Sequence, residues 1–168
     1  KVALFGKGTI DYVKGGGGSG DVTVEYIRNF YEGMKIKEAE GEVSLFHELP
    51  EFYEKNVKEQ YAAGAVPGMT REPEVPDELV QKAKAYTDTA IITICRFSGE
   101  GWDRTGKPFD GDFFLSHGEM DMVDAVRAAF PRVAVVLNTG GMMDSSWFRH
   151  DDRIGAALLA WQGGMEGG

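Results

Sequence analysis

Hydrophobic positions along this chain fall into two kinds of run. Short unbroken stretches of aliphatic and β-branched residues read as buried strands. Longer stretches with apolar residues three or four apart read as helices packed on them. Val2 to Phe5 predicts a strand that stops at Gly6, and Gly6 to Asp21 is too rich in glycine for regular structure. Val22 to Met34 predicts a helix, with Val24, Ile27, Tyr31 and Met34 on one face, Asp21 as its N-cap and Gly33 close to its end. Val43 to Phe46 reads as a strand inside the mixed stretch 35–49. Pro50 to Gly64 predicts a second helix, with Phe52, Tyr53, Val57 and Tyr61 facing inward. Val66 to Pro76 carries three prolines and no period, so it reads as a loop.

The second half repeats this alternation. Asp77 to Tyr86 predicts a helix capped by Asp77, and Thr89 to Cys95 a central buried strand. Arg96 to Leu115 is a long loop with a turn at Asp110-Gly111; loops of that length in a compact domain are usually functional or disordered. Ser116 to Phe130 predicts a helix opened by the capping box Ser116-x-x-Glu119, with Met120, Val123, Val126 and Phe130 inward and Pro131 ending it. Arg132 to Leu137 and Ala156 to Trp161 read as two further buried strands. Strands alternating with amphipathic helices predict a three-layer α/β/α sandwich with a mostly parallel sheet of five to six strands.

Composition narrows the function classes. A length of 168 residues, 42% hydrophobic and 27% charged, fits one ordinary globular domain. No run of about 18 apolar residues exists, so no membrane-spanning helix is expected. Lys1 to Phe5 already reads as a strand, so no signal peptide is read in this stretch. A formal net charge of −9 argues against nucleic acid as a partner, because phosphates call for clustered Lys and Arg. The single cysteine, Cys95, rules out an internal disulfide and falls inside a predicted strand. A reducing compartment is compatible with it; the cytoplasm is the expected location, with secretion of a parent protein left open. Oligomeric state is not legible.

Several chemistries are excluded by spacing. Gly6-Lys7-Gly8 after a strand has Asp11 where a dinucleotide fingerprint needs its third glycine, and an acid there repels a pyrophosphate. The run Gly15 to Gly20 is not followed by the Gly-Lys-Ser/Thr of a P-loop. His47, His117 and His150 lack metal-ligand spacing, and Asp110 and Asp112 lack the rest of a calcium loop, so neither metal nor cofactor is expected. No Gly-x-Ser-x-Gly elbow is present. Trp147 is expected to pack or meet a partner domain rather than to bind a ligand.

The stretch Arg96-Phe97-Ser98-Gly99-Glu100-Gly101-Trp102-Asp103-Arg104 carries the most chemistry. It sets a carboxylate between two glycines directly after the central strand, where open α/β sheets place their ligand sites. Arg96, Asp103 and Arg104 supply charges to hold the loop or to contact a polar ligand, and Trp102 is a candidate either for stacking on a ligand ring or for core or rim packing. Two readings stand on chemistry alone. One is proton transfer to a hydroxyl-rich substrate; the other is a surface turn with a local Asp–Arg pair.

The segment resembles the S-x-E-G-x-D-R motif of glycoside hydrolase family 3, the β-glucosidase and β-xylosidase family. Three more segments match in the right order. They are Lys1 to Gly6 leading into Lys14-Gly15-Gly16-Gly17-Gly18-Ser19-Gly20-Asp21-Val22, then Val133 to Gly141, and last Ala156 to Gly168. The resemblance covers the family's α/β-sandwich domain, residues 1–168; the barrel domain that carries the catalytic nucleophile has no counterpart, so the chain reads as an incomplete part of a longer enzyme. The resemblance implies a retaining β-glycosidase acting on terminal β-linked sugars, with Glu100 as general acid/base and the nucleophile in a barrel of the same parent chain. It implies that the loop Gly15, Gly16, Gly17, Gly18 and Ser19 lies along the rim of the sugar site, that Arg96, Ser98 and Trp102 bind substrate or shape the loop, and that Asp103 and Arg104 shape it by an ion pair. The glycines serve equally as a strand–helix turn. The alternative is a non-catalytic carbohydrate-binding or docking module. Retaining hydrolysis needs two carboxyls about 5–5.5 Å apart, so the isolated chain is expected to be inactive.

Overall fold

A computed structural model describes residues 1–168. Strands β1 (Ala3–Phe5), β2 (Thr89–Arg96), β3 (Arg132–Thr139) and β4 (Ile154–Leu159) pair in that order, and every pair is parallel. The α/β class and parallel sheet match the sequence reading; the sheet has four strands where five or six were expected. Helices α1 (Phe30–Ala39), α2 (Glu48–Ala62), α3 (Asp77–Tyr86), α4 (His117–Ala129) and the short α5 (Ser146–Arg149) fill the connections.

Period two along the strands sorts the core. Ala3 and Phe5, then Ala90, Ile92 and Ile94, then Val133, Val135 and Leu137 face the larger cluster with Leu49, Tyr53, Val80, Val123 and Val126 of the helices. Sequential strand order with right-handed crossovers puts α2, α3 and α4 on that same face. The opposite face is covered near β1, where Leu4 packs with Tyr31 of α1 and Leu45, and Ile91 lies against them.

Four expectations need correction. The first helix is Phe30–Ala39, not Val22 to Met34. Asn29 forms a capping box with Glu32, which fixes the start, whereas Asp21 accepts from Lys14 instead of capping. The stretch 22–27 forms no regular element, and Arg28 gives its N–H to the Met165 carbonyl at 2.7 Å. With that start Gly33 sits in the first turn rather than at the end, and a Cβ there would fall 2.1 Å from the backbone of Gly168. Val43 to Phe46 contributes a single parallel bridge, Val2 to Leu45, rather than a strand. In α4 it is Met122 that is buried, while Met120 looks outward. Strand β4 begins at Ile154 and is not buried: it lies at the sheet edge with Leu158 60% exposed.

Candidate active-site edge

Parallel strands deliver their following loops to one edge of the sheet, and here that edge gathers every segment of the sequence motif. After β1 the chain passes through a 3₁₀ turn at Lys7–Thr9 to Asp11. Asp11 is fully buried. Its carboxylate accepts from Tyr61 Oη and Gly68 N, both at 2.5 Å, from Thr70, and from Lys7 Nζ at 3.3 Å. Burial alone would raise its pKa, but the Lys7 charge and these donors hold it below the ordinary carboxylate range. Asp11 thus ties the 66–70 loop to the end of β1; its acid is consumed inside the fold.

The glycine loop then reaches the Glu100 turn. Gly17 and Gly99 form a parallel backbone bridge, with Gly17 N–H donating to Ser98 O at 2.9 Å and Glu100 N–H to Gly17 O at 3.3 Å. Gly18 has φ +79°, and a Cβ on it would lie 2.6 Å from that of Glu100, so the close approach requires glycine. Ser19 donates both its N–H, at 3.2 Å, and its hydroxyl, at 2.9 Å, to Glu100 Oε2. Glu100 is otherwise exposed, and the two Ser19 donors draw its pKa below the ordinary glutamate value. Gly15 faces open space, and Gly16 lies beside the Ser98 carbonyl and the Gln162 side chain.

Arg96 is not at the surface. Its guanidinium makes a two-pronged pair with Glu119, at 2.6 and 2.8 Å, and donates to the carbonyls of Cys95 and Asp112. It fastens the long loop to the start of α4, with both prongs engaged by Glu119. The expected Asp103–Arg104 pair does not form. Arg104 turns instead to Asp112 at 2.6 Å, to Phe97 O at 2.7 Å and to Thr139, while Asp103 stands exposed. An eight-residue reach closes the loop better than an adjacent pair, whose side chains diverge along an extended backbone. Trp102 is half-exposed and rests edge-on against Phe97, with ring centroids 5.2 Å apart. Trp147 packs against the core with its indole N–H on the Asp144 carbonyl, as a packing residue should.

A groove of about 800 Å³ runs along the same edge. Trp102, Asp103, Phe109, Asp110, His117 and Glu72 are among the residues that line it; Glu100 is not. Phe109 lies flat on His117 at 4.3 Å. Glu72 Oε2 accepts the Lys7 N–H, but Oε1 is shut from solvent without a partner. Burial pushes the Glu72 carboxyl up to about 8. No group of three His, Cys, Asp or Glu side chains is placed to hold a metal ion. No helix is long and apolar enough to cross a membrane.

Sequence reasoning missed Asn138 and Gln162. Asn138, buried at the end of β3, pairs with both backbone groups of Val13, at 2.7 and 3.0 Å, and donates to Trp161 O. Gln162 donates to Ser98 Oγ at 2.9 Å. A polar residue closing an otherwise apolar strand was the available signal for Asn138; nothing local marked Gln162.

An open parallel sheet that presents a free carboxylate on a glycine-bounded turn has the form of a ligand-handling α/β domain. The glycosyl hydrolase family 3 C-terminal domain matches residues 1–168, and the chain belongs to that family. It is 49% identical to β-glucosidase A of Butyrivibrio fibrisolvens over 188 aligned positions, covering all of this chain and 22% of that protein. Among solved structures it resembles a β-glucosidase of Paenibacillus barengoltzii, with TM-score 0.85 and 32% identity over 99% of this chain and 18% of that one. It also resembles β-glucosidase 3B of Thermotoga neapolitana in complex with glucose, with TM-score 0.84 and 34% identity over 99% of this chain and 24% of that one. The chain therefore spans about a fifth of the length of the relatives it matches.

Proposed function

We propose that this chain works as the sandwich domain of a retaining β-glycosidase, β-glucosidase-like, that cleaves terminal β-linked sugars, and that Glu100 is its general acid/base. One observation carries the reading. At the carboxyl edge, Asp11, Glu119 and Asp112 are spent on internal partners, and Asp103 is exposed with no side-chain hydrogen bond to fix it, whereas Glu100 is both held by the glycine loop and open to solvent. The names of the family relatives support the same substrate class.

In this reading Glu100 gives its proton to the glycosidic oxygen as the bond from that oxygen to the anomeric carbon breaks. A carboxylate on a barrel domain of the parent chain forms an ester with that carbon. Water then attacks the carbon, Glu100 takes its proton, and the ester carboxylate departs. The Ser19 contacts favour ionised Glu100, the state needed for the second step. The protonated state needed for the first must come from the partner domain, through burial or the charge of its nucleophile.

The test is Glu100→Ala in the parent enzyme. Turnover of alkyl glucosides is expected to fall by about 10²–10⁴-fold, while glycosylation by dinitrophenyl glucosides, which need little protonation, is spared and azide restores part of the turnover. Equal losses on both substrates without azide rescue refute the role. A mechanism-based fluoroglycoside should label the parent protein; absence of labelling would favour a non-catalytic carbohydrate-binding module.

A further inference from the structure

We infer that Gln162 is a positioning residue for Glu100, acting through Ser98; this rests on the acid/base reading of Glu100. After β4 the chain turns sharply at Trp161, which has φ +56°, and crosses back over the carboxyl edge as a strap. The strap is fixed along its length. Asn138 Nδ2 donates to Trp161 O at 2.7 Å, Gly164 N–H donates to Lys14 O at 2.8 Å, and Tyr12 Oη donates to Gly164 O at 3.1 Å.

Gln162 is the strap's one side-chain reach into the Glu100 turn, donating from Nε2 to Ser98 Oγ at 2.9 Å. Gly140, after β3, lies directly beneath. A Cβ on it would fall 2.4 Å from Gln162 Oε1 and 2.6 Å from Ser98 Oγ, so the pair packs closely against the Gly140 backbone. Ser98 in turn carries the carbonyl that receives Gly17 N–H, two residues before Glu100. The Glu100 turn is thus gripped on one side by the glycine loop and on the other by Gln162. An exposed carboxyl that must meet a glycosidic oxygen within hydrogen-bonding reach depends on such a grip, because small misplacements cost large factors in rate.

The experiment is a double-mutant cycle of Gln162→Ala and Ser98→Ala in the parent enzyme, with Glu100→Ala alongside. Alkyl and dinitrophenyl β-glucosides are the substrates. Gln162→Ala should lower kcat/KM for the alkyl glucoside about tenfold and leave the dinitrophenyl glucoside within about twofold. The double variant should be no worse than either single one, because both remove the same hydrogen bond. Gln162→Met, which keeps the packing without the donor, should reproduce the loss even if the alanine variant folds poorly. Equal losses on both substrates, no loss on the alkyl glucoside, or additive losses overturn the inference. If Glu100→Ala itself fails to discriminate the substrates, the acid/base reading falls. If it discriminates and the Gln162 variants do not, the positioning role alone falls.

Discussion

Glu119 and Glu100 lie nineteen residues apart, at either end of the same loop, and the fold treats them in opposite ways. Glu119 is buried, meets the guanidinium of Arg96 with both oxygens, and accepts the Ser116 N–H of its own helix cap. Glu100 is exposed and held through one oxygen by one residue, Ser19. A carboxylate whose lone pairs are all satisfied inside the protein holds structure and cannot trade protons with a substrate. One left open on a hydrogen-bonded turn can. The difference also explains why the open site sits on so firm a base: Arg96 and Arg104 stitch the loop to α4 and β3, so the turn bearing Glu100 need not be stabilised by Glu100 itself.

The strongest way to break this contrast is at the buried pair. Arg96→Met leaves Glu119 without its counter-charge in the interior, and breaking such a pair by removing one partner costs about 3–5 kcal/mol. Urea denaturation of the purified protein should show a loss of that size; a loss near that of an ordinary surface change would mean the pair is not the loop's anchor.

Glu72 supplies a third kind of carboxyl, part-buried at the groove with one oxygen shut from solvent and unpartnered, and its effect is next in size. Its folded pKa of about 8 lies above its ordinary value of 4.5, so the folded state holds the proton more tightly than the unfolded chain. Stability is therefore greatest below pH 4.5 as far as this group is concerned, and it falls as pH rises towards about 8, where the loss levels off. Glu72→Gln, which keeps a neutral group in place, should flatten that slope in denaturation curves taken between pH 5 and pH 8 (about the window these values span). An unchanged slope would show that Glu72 is already ionised when folded.

Much of this is legible in the sequence. The capping box at Ser116 and Glu119 and the meeting of the glycine loop with the Glu100 turn both follow from local spacing and from parallel topology. The rest depended on neighbours distant in sequence. Glu119 was visible as a cap, but its second partner, Arg96, lies twenty-three positions away and carried no periodic signal. Nothing in the sequence ranks Asp112 above adjacent Asp103 as the partner of Arg104. The aliphatic run of β4 reads as a buried strand by pattern, yet burial depends on what stands beside the sheet edge, and no strand pairs beyond it here. In the same way, Val22 to Met34 has a helical period, but the Asn29 cap and the contacts of Arg28 with the strap decided where the helix starts.

The smallest expected effect falls on the exposed side of the contrast. Glu100→Gln should leave the melting temperature of this chain where it was, since the amide oxygen still accepts from Ser19 and no buried charge is orphaned. Ser19→Ala should cost little stability, because Glu100 is exposed, and should show more plainly in titration. The Ser19 N–H and hydroxyl both stabilise the ionised carboxyl and hold its folded pKa below the unfolded one. Their stabilising contribution is present above the unfolded pKa and lost as pH falls through the folded one. Removing the hydroxyl takes away one of the two donors, so the Glu100 pKa should move up, towards the ordinary glutamate value. Carbon-detected NMR titration of the Glu100 side chain measures this directly, with Glu100→Gln identifying the resonance. In the parent enzyme the same change should carry the alkaline limb of the pH–rate profile upward, because the protonated acid persists to higher pH. A Glu100 titration that does not move in Ser19→Ala would mean that the glycine loop shapes the turn without tuning its acid. The contrast with Glu119 would then be one of exposure alone.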